Sequence, residues 1–559
     1  MSAVREWLPF LGFWRGHRAF GADLIAGATV GLVLVPQAMA YAALAGMPPI
    51  HGLYAASFAC MAGGLLGRCA QLQTGPVAMT ALISFAAVAP LAAEGSNEFI
   101  ALMAVLAVMV GILRIGLGLL RGAALATLIS KPVLVGFGAA AGIVIASTQV
   151  PKWFLIDPHA TNPLVNVAMI LPELGSAHWP SFFMGAGSLL AMILFKIYLP
   201  RWPGLLISMI FAGLISWLIG FEAMGGQVVG ALPAGLPPLV LPTQGWELAP
   251  ELIGGALLVV VIGLLEVMTV TSLTERKLGI RTDLNGELVG QGAASLVAGV
   301  TAGFPVSGSL SRSSLNLLAG AVTGLSSVIS GLVVLLTLLV LTPLLRPLPY
   351  PALAAAIMMA VAALIRPQDL ARTWRISHSD AVFGFGTLAA TVVAAPDMVM
   401  GMVIGIGMSL GYGVWRWMHP RMVITTPDPD GRSSAADDQV DAAQSVLDGR
   451  LVVRIDSRIS FLNCRVLERR IRDWAHTCPT GTTVILNACA VNEIDASGVD
   501  MLVDLHGALH DMGIKLAFAD VKLPVRKRIE ADGRLSSAPI LAHHEAPLTG
   551  AAEPAPADS

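Results

Sequence analysis

Glu266 is the only acidic residue between Leu252 and Thr274, set in the run Leu264-Leu-Glu-Val-Met268. A charge inside lipid costs on the order of several kcal/mol, so an intramembrane acid faces a cavity or a partner and is a functional candidate by default. Two polar interruptions of apolar sequence offer the opposite charge preference: Gln71-Leu-Gln-Thr-Gly-Pro-Val77 and Gly303-Phe-Pro-Val-Ser-Gly-Ser-Leu-Ser-Arg312. In each, Pro and Gly precede a short apolar stretch, and Pro suits a first helical turn because its missing N–H has no intrahelical partner there. Two half-helices starting at these points would aim unpaired N–H groups and positive dipole ends at a common place, which is an anion site. Pro76, Val77 and Ala78 lie at the first tip and Ser307, Gly308 and Ser309 at the second; Ser311 adds a further hydroxyl, and Arg312 brings a full positive charge. The alternative is two Pro-kinked helices with no ligand.

A negative Glu266 beside such a site repels an anion unless the carboxyl carries a proton. The expectation is coupled proton and anion uptake with Glu266 as the proton carrier; the alternative is a structural pairing of Glu266 with Arg312 or a hydroxyl. Gln37 follows Pro36, and Tyr41 lies one turn on along the same face, since i and i+4 align. Both are candidate substrate contacts, or else members of an interhelical hydrogen bond. The loop Glu275 to Glu287 reads as a solvated cytoplasmic turn rather than a metal site. The run Val135-Gly-Phe-Gly-Ala-Ala-Ala-Gly142 reads as helix packing.

The elements that must position these residues are membrane helices. Apolar types make up 55% of the 559 residues and charged types 13%, about half the charged share of soluble domains. The net charge of -2 argues against a nucleic-acid binder, and the composition against disorder or an ordinary soluble enzyme. Residues 1–420 hold 19 basic and 16 acidic residues, whereas the 139 residues from Arg421 hold 15 and 20. A membrane domain (1–420) and a small soluble one follow. Eleven clear spans are 24–45, 48–67, 98–120, 132–149, 181–199, 204–221, 252–274, 323–345, 349–365, 378–395 and 397–417. The shorter 76–92 and 307–320 and the Gly/Ala-rich 286–303 bring the total to fourteen.

An inside N-terminus puts Arg5, Arg15, Arg18, Arg68, Arg114, Arg121, Lys131, Lys196, Arg201, Arg276, Lys277, Arg281, Arg366, Arg372, Arg375, Arg416 and Arg421 in or beside the cytoplasm. Lys152 and Arg346 are the exceptions, and both termini are expected inside. Trp7, Trp14, Arg15 and Arg18 before the first apolar run do not read as a cleaved secretory signal. An offset of 229 matches Gln37 to Glu266, Met39 to Met268, Pro76 to Pro305 and Val77 to Val306. Seven is odd, so a tandem copy enters the membrane inverted, and paired interrupted segments in inverted halves point to a transporter's midplane site.

Residues 421–450 are expected to be a linker, with 425–450 polar, acidic and turn-rich, a linker or mobile insertion; 451–545 alternate strands (451–456, 483–487, 515–519) with helices (near 462–475, 497–511, 523–531), a small α/β domain; 546–559 read as a disordered tail. No nucleophile–base pairing, cofactor loop or metal spacing stands out, and Cys60, Cys69, Cys464, Cys478 and Cys489 suggest neither disulfides nor zinc. No enzyme and no cofactor are expected. Ser497 begins a helix where a phosphate would be favoured, or serves as an ordinary N-cap.

These residues resemble a known family. Asn492-Glu-Ile-Asp-Ala-Ser-Gly-Val-Asp500 is similar to the STAS domain shared by bacterial anti-sigma-factor antagonists and anion transporters, and Ser497 falls at the serine phosphorylated in those antagonists. Val35-Pro-Gln-Ala-Met-Ala-Tyr41, His51-Gly-Leu-Tyr54, Gly75-Pro76, Asn285-Gly-Glu-Leu-Val-Gly-Gln291 and Gly303 to Arg312 resemble the sulfate permease family, relatives of prestin and pendrin. The resemblance implies a seven-plus-seven inverted repeat divided into core and gate domains, alternating access, a homodimer in the bacterial inner membrane, and a STAS domain that binds a regulatory protein. It puts the substrate between the third and tenth helices, flanked by the first and eighth: Pro76, Val77, Ser307 to Ser309, Arg312, Gln37 and Glu266. Sodium-coupled bicarbonate members carry an Asp and, one turn on, a Thr, which here align with Glu266 and Val270; the missing hydroxyl favours protons over sodium. The expected substrate is sulfate or a similar oxyanion. The alternatives are an exchanger or a bicarbonate or dicarboxylate transporter, and a membrane anion sensor signalling through the STAS domain.

Overall fold

The computed structural model describes residues 17–541 except 125–129, 158, 159, 161, 200, 201, 396, 428–432 and 436–441. Arg5, Arg15, Arg201 and the expected tail 546–559 lie outside the described residues. The chain divides into two compact units, Met1–Ser409 and Leu410–Ser559.

The membrane unit runs α1 (His17–Leu44), α2 (Pro49–Leu66), β1 (Thr74–Gly75), α3 (Ala78–Val88), α4 (Asn97–Leu119), α5 (Lys131–Phe154), α6 (Pro163–Glu173), α7 (Trp179–Tyr198) and α8 (Gly204–Ile219). Then follow α9 (Ala249–Leu278), α10 (Leu284–Val300), β2 (Ser307–Gly308), α11 (Leu310–Leu318), α12 (Leu325–Leu345, with a π turn at Thr337–Leu341), α13 (Tyr350–Ala362), α14 (Pro367–Ile376), α15 (His378–Ala394) and α16 (Met398–Met418). Each of the fourteen apolar segments contains a helix. Among the described residues nine helices are long and apolar enough to cross a membrane, and α3 and α8 are shorter apolar helices.

Two helices were not anticipated, α6 and α14. The second carries Asp369, Arg372 and Arg375 and buries only Leu370, so its signal is amphipathic rather than apolar. Helices α1 to α4 pack with α9 to α12, and α5, α7, α13 and α15 pack with one another. At Gly136 a Cβ would come within 2.0 Å of the Gly384 carbonyl oxygen, so the small-residue run of α5 is what lets α15 approach.

The second unit holds a six-stranded sheet of order β4-β3-β5-β6-β7-β8, from β3 (Met422–Pro427), β4 (Ser433–Ala435), β5 (Arg450–Ile455), β6 (Thr483–Asn487), β7 (Lys515–Ala519) and β8 (Ile540–Leu541). Strands β5 to β8 are parallel, as their crossover helices α17 (Cys464–His476), α18 (Ala496–Asp511) and α19 (Leu523–Asp532) require. Helix α17 buries Cys464, Leu467, Ile471 and Ala475, a stripe at helical spacing that closes one core over Leu451, Val453, Leu486 and Phe518.

The linker expected over 421–450 is corrected in part. Met422, Val423 and Ile424 are buried, and β3 pairs antiparallel with β5, Met422 opposite Ile455. Three consecutive apolar residues have more to gain from a sheet edge than from solvent.

Candidate functional site

The two polar interruptions meet. β1 and β2 pair antiparallel, Thr74 opposite Gly308 and Gly75 opposite Ser307, and the Ser309 N–H donates to the Gln73 carbonyl at 2.9 Å. Extended backbone inside a bilayer must find partners within the protein, and this ribbon supplies them. A short helix leaves each strand: α3 after its extended N-cap Val77, with no side-chain cap, and α11 after Ser309, whose Oγ accepts from the Arg312 N–H at 3.4 Å.

The repeat register differs from the one expected. The ribbon makes Thr74 and Gly75 equivalent to Ser307 and Gly308, an offset of 233, and the N-caps Val77 and Ser309 stand at 232. The Pro76–Pro305 and Val77–Val306 matches at 229 are therefore not structural equivalents. Backbone pairing sets the register, and the loop before β2 absorbs the extra residues.

The ribbon is held from three sides by residues to which the sequence reading gave no role in the site. Glu287 is 1% exposed, and its Oε2 accepts from the backbone N–H groups of Arg68 and Cys69 at 2.6 and 2.8 Å. Gln291 Nε2 donates to Glu287 Oε1 at 2.8 Å and to Thr74 Oγ1 at 2.7 Å. Ser313 Oγ accepts from the Gln73 N–H at 2.9 Å, and Asn316 Nδ2 donates to the Gln71 carbonyl at 3.1 Å. This corrects the solvated turn expected over 275–287: its last residue is inside α10 and buried. The available signal was an acid one turn before a Gln in a Gly-rich apolar run.

Around the ribbon the named residues converge. Arg312 is 1% exposed; Nη1 donates to Gln37 Oε1 at 3.4 Å, while Nε and Nη2 have no hydrogen-bond partner among the described residues. Gln37 is thus engaged by the arginine across helices. Tyr41 is buried, and it and Glu266 lie within electrostatic reach of Arg312. Glu266 Oε2 and Ser307 Oγ are likewise buried and make no hydrogen bond of ordinary geometry, the Ser307 hydroxyl lying beside the Glu266 carboxyl, and no hydrogen bond ties this carboxyl oxygen to Arg312. Pro76, Ala78, Ser307, Gly308 and Ser309 are buried and Val77 half-buried. Ser309 Oγ is committed to its cap and to Ser311 Oγ at 3.3 Å, and Ser311 is exposed. A separate cavity of about 970 Å³, lined by Pro36, Met209, Trp217, Thr337 and Leu348 among others, is apolar and includes none of the ribbon's residues.

Arg114 was expected in or beside the cytoplasm, and the structure corrects this. Its side chain is 1% exposed within the unit, with Nη1 donating to the Val306 carbonyl at 2.5 Å and Ser295 Oγ at 3.2 Å, and Nη2 donating to the Val259 carbonyl at 3.2 Å. A base six residues from the end of an apolar helix reads as a flank by position alone; only packing reveals that it turns inward.

In the second unit Asp495, not Ser497, caps α18: Asp495 Oδ1 accepts from the Gly498 N–H at 2.8 Å and Oδ2 from the Phe461 N–H at 2.9 Å. Ser497 is exposed in the first turn.

Residues 20–387 match the Sulfate permease family and residues 441–545 the STAS domain. The chain is 31% identical over 538 residues to Sulfate transporter 4.1, chloroplastic, of Arabidopsis thaliana, covering 93% of this chain and 78% of the relative. It is also 31% identical over 529 residues to Probable sulfate transporter Rv1739c of Mycobacterium tuberculosis, covering 94% of each. The murine Slc26a9 anion transporter in its inward-facing state shares the fold at a TM-score of 0.84 and 21% identity, covering 96% of this chain and 92% of that one. The transmembrane domain of the cyanobacterial bicarbonate transporter BicA does so at 0.59 and 21%, covering 71% and 98%. This multi-pass membrane chain, with its STAS domain, belongs to the sulfate permease family, whose curated relatives are named as transporters rather than enzymes.

Proposed function

We propose that the chain is a secondary active transporter that takes up sulfate or a similar oxyanion with protons, by alternating access. The observation that carries the reading is the Arg312 guanidinium, buried at the β1–β2 ribbon between two half-helix N-termini with Nε and Nη2 left without a protein partner among the described residues. Buried donors left unpaired cost about 1–3 kcal/mol each or more when charged, so a ligand that supplies acceptors is favoured. Pro76, Val77, Ala78, Ser307, Gly308 and Ser309 border the anion, with Gln37 and Tyr41 beside it. Glu266 carries the proton: its buried carboxyl lies beside Ser307 in the same charge cluster, where a full negative charge opposes the anion. The names of the relatives support sulfate as the substrate.

The same reading makes the protein a fourteen-span homodimer in a bacterial inner membrane, with both termini cytoplasmic. The α1–α4/α9–α12 group is the moving core and the other helices the gate; the tail domain (451–545) binds a regulatory protein, with Ser497 open to phosphorylation.

The test is uptake of labelled sulfate into proteoliposomes with and without an inward proton gradient. Wild type is expected to accumulate sulfate only with the gradient, and Glu266→Gln to lose that dependence. Flux unaffected by the gradient in wild type means exchange instead, and a Glu266→Gln protein that still follows the gradient rules out this residue as the carrier.

A further inference from the structure

We infer that Arg114 is a specificity-determining residue: a second fixed cation beside Glu266, so that the site with Glu266 protonated favours a divalent oxyanion over a monovalent one. This rests on the anion-transport reading above and deepens it. Three hydrogen bonds hold the guanidinium, two of them to main-chain carbonyls on α9 and before β2. Its place is built into the neighbouring helix: a Cβ at Gly263 would come within 1.9 Å of Arg114 Nη2, so only glycine leaves room for it. The same imagined Cβ lies 3.1 Å from Ser307 Oγ, and Glu266 follows one turn along α9. Arg114 therefore flanks Glu266 and Ser307 from α4, while Arg312 approaches from α11, and the carboxyl is within reach of both.

The charges then decide the ligand. Arginine keeps its charge at physiological pH, and Tyr41 and Cys60, which face Arg312 from α1 and α2, are ordinarily uncharged there. With Glu266 ionised, the two arginines leave the empty site at one net positive charge; with Glu266 protonated they leave two. With Glu266 protonated, a dianion brings the occupied site to zero and a monoanion leaves it at one positive charge; with Glu266 ionised, a monoanion itself gives zero. Uncompensated charge in a buried, low-dielectric place is costly, so the protonated state that carries the coupled proton favours a dianion, and without Arg114 that same state would balance a monoanion instead.

Arg114 also holds the carbonyl before β2, so the test must separate charge from positioning. Purified full-length wild type, Arg114→Lys and Arg114→Met are reconstituted, and the inhibition of labelled sulfate uptake by nitrate gives a sulfate-to-nitrate preference for each. Arg114→Met is expected to lower that preference by about tenfold or more, and Arg114→Lys to keep it while losing maximal rate. Unchanged preference in Arg114→Met overturns the inference but leaves the transport reading intact; loss of preference in Arg114→Lys equal to that in Arg114→Met reduces Arg114 to a clamp and also overturns it. Wild type without flux of any anion overturns the transport reading itself. If Arg114→Met fails to fold, Arg114→Gln, which keeps a donor without the charge, takes its place, and a wild-type preference in that variant overturns the inference.

Discussion

Replacing Arg312 with glutamine removes a guanidinium at the ribbon with two nitrogens to spare. Nη1 is occupied by Gln37 at 3.4 Å, and Nε and Nη2 have no partner among the described residues, so two donors remain for an anion. Hydrogen bonds to charged groups contribute about 1.5–3 kcal/mol each, so losing two costs roughly 3–6 kcal/mol of binding. At about 1.4 kcal/mol per factor of ten, that is roughly two to four powers of ten in affinity. Glutamine can still donate one neutral bond, which places Arg312→Gln near the lower end, at about 100-fold. Arg312→Lys keeps the charge but not the planar fork and is expected to fall between wild type and glutamine. The assay is the KM for labelled sulfate in proteoliposomes, paired with thermal stabilisation by sulfate in detergent to separate binding from turnover. A folded Arg312→Gln protein whose KM stays within about threefold of wild type would refute the reasoning, because uniform binding energy lost at this residue must appear there.

Glu287→Ala strands the Arg68 and Cys69 N–H groups and takes one of two acceptors from the Gln291 amide, so at about 1–3 kcal/mol per orphan the protein is expected to lose at least about 2 kcal/mol, read as a lower melting temperature in detergent. A melting curve that overlays wild type would show that water replaces the carboxylate there. Asp495→Ala deletes the α18 cap and its bond to Phe461, at a cost of about 1–2 kcal/mol to the tail domain in urea titration; a midpoint unchanged from wild type refutes it. Burial pushes the Cys464 thiol above its ordinary value. The folded state therefore holds that proton more tightly, and the stability involved is full below the unfolded thiol value and lost as pH rises through the raised one. Maleimide labelling of Cys464 is expected to stay slow at neutral pH until the protein is unfolded, and rapid labelling of the native chain would contradict it.

Much of this protein was legible in its sequence because lipid imposes a coarse rule. Only continuous apolar stretches can span a bilayer, so fourteen such runs and their interruptions at 71–77 and 303–312 announce the helices and the breaks. Glu266 and Arg312 stood out for the same reason, as charges where charge is expensive. The tail's alternation of strands and helices, and the sulfate permease and STAS motifs, were equally local features. The sheet's extension through β3 was less visible, since three apolar residues beside a turn-rich segment give little periodicity.

What only the tertiary structure decided is which polar groups meet. The pairing of Gly75 with Ser307 fixes a repeat register that side-chain identities placed four residues away, because main-chain hydrogen bonds have no sequence signature. Arg114 and Glu287 read as flank and loop by their distance from helix ends, yet their side chains reach carbonyls and amides on segments 145 to 219 residues distant. A buried charge is stabilised by partners that lie close in space, and spacing along the chain carries no record of them.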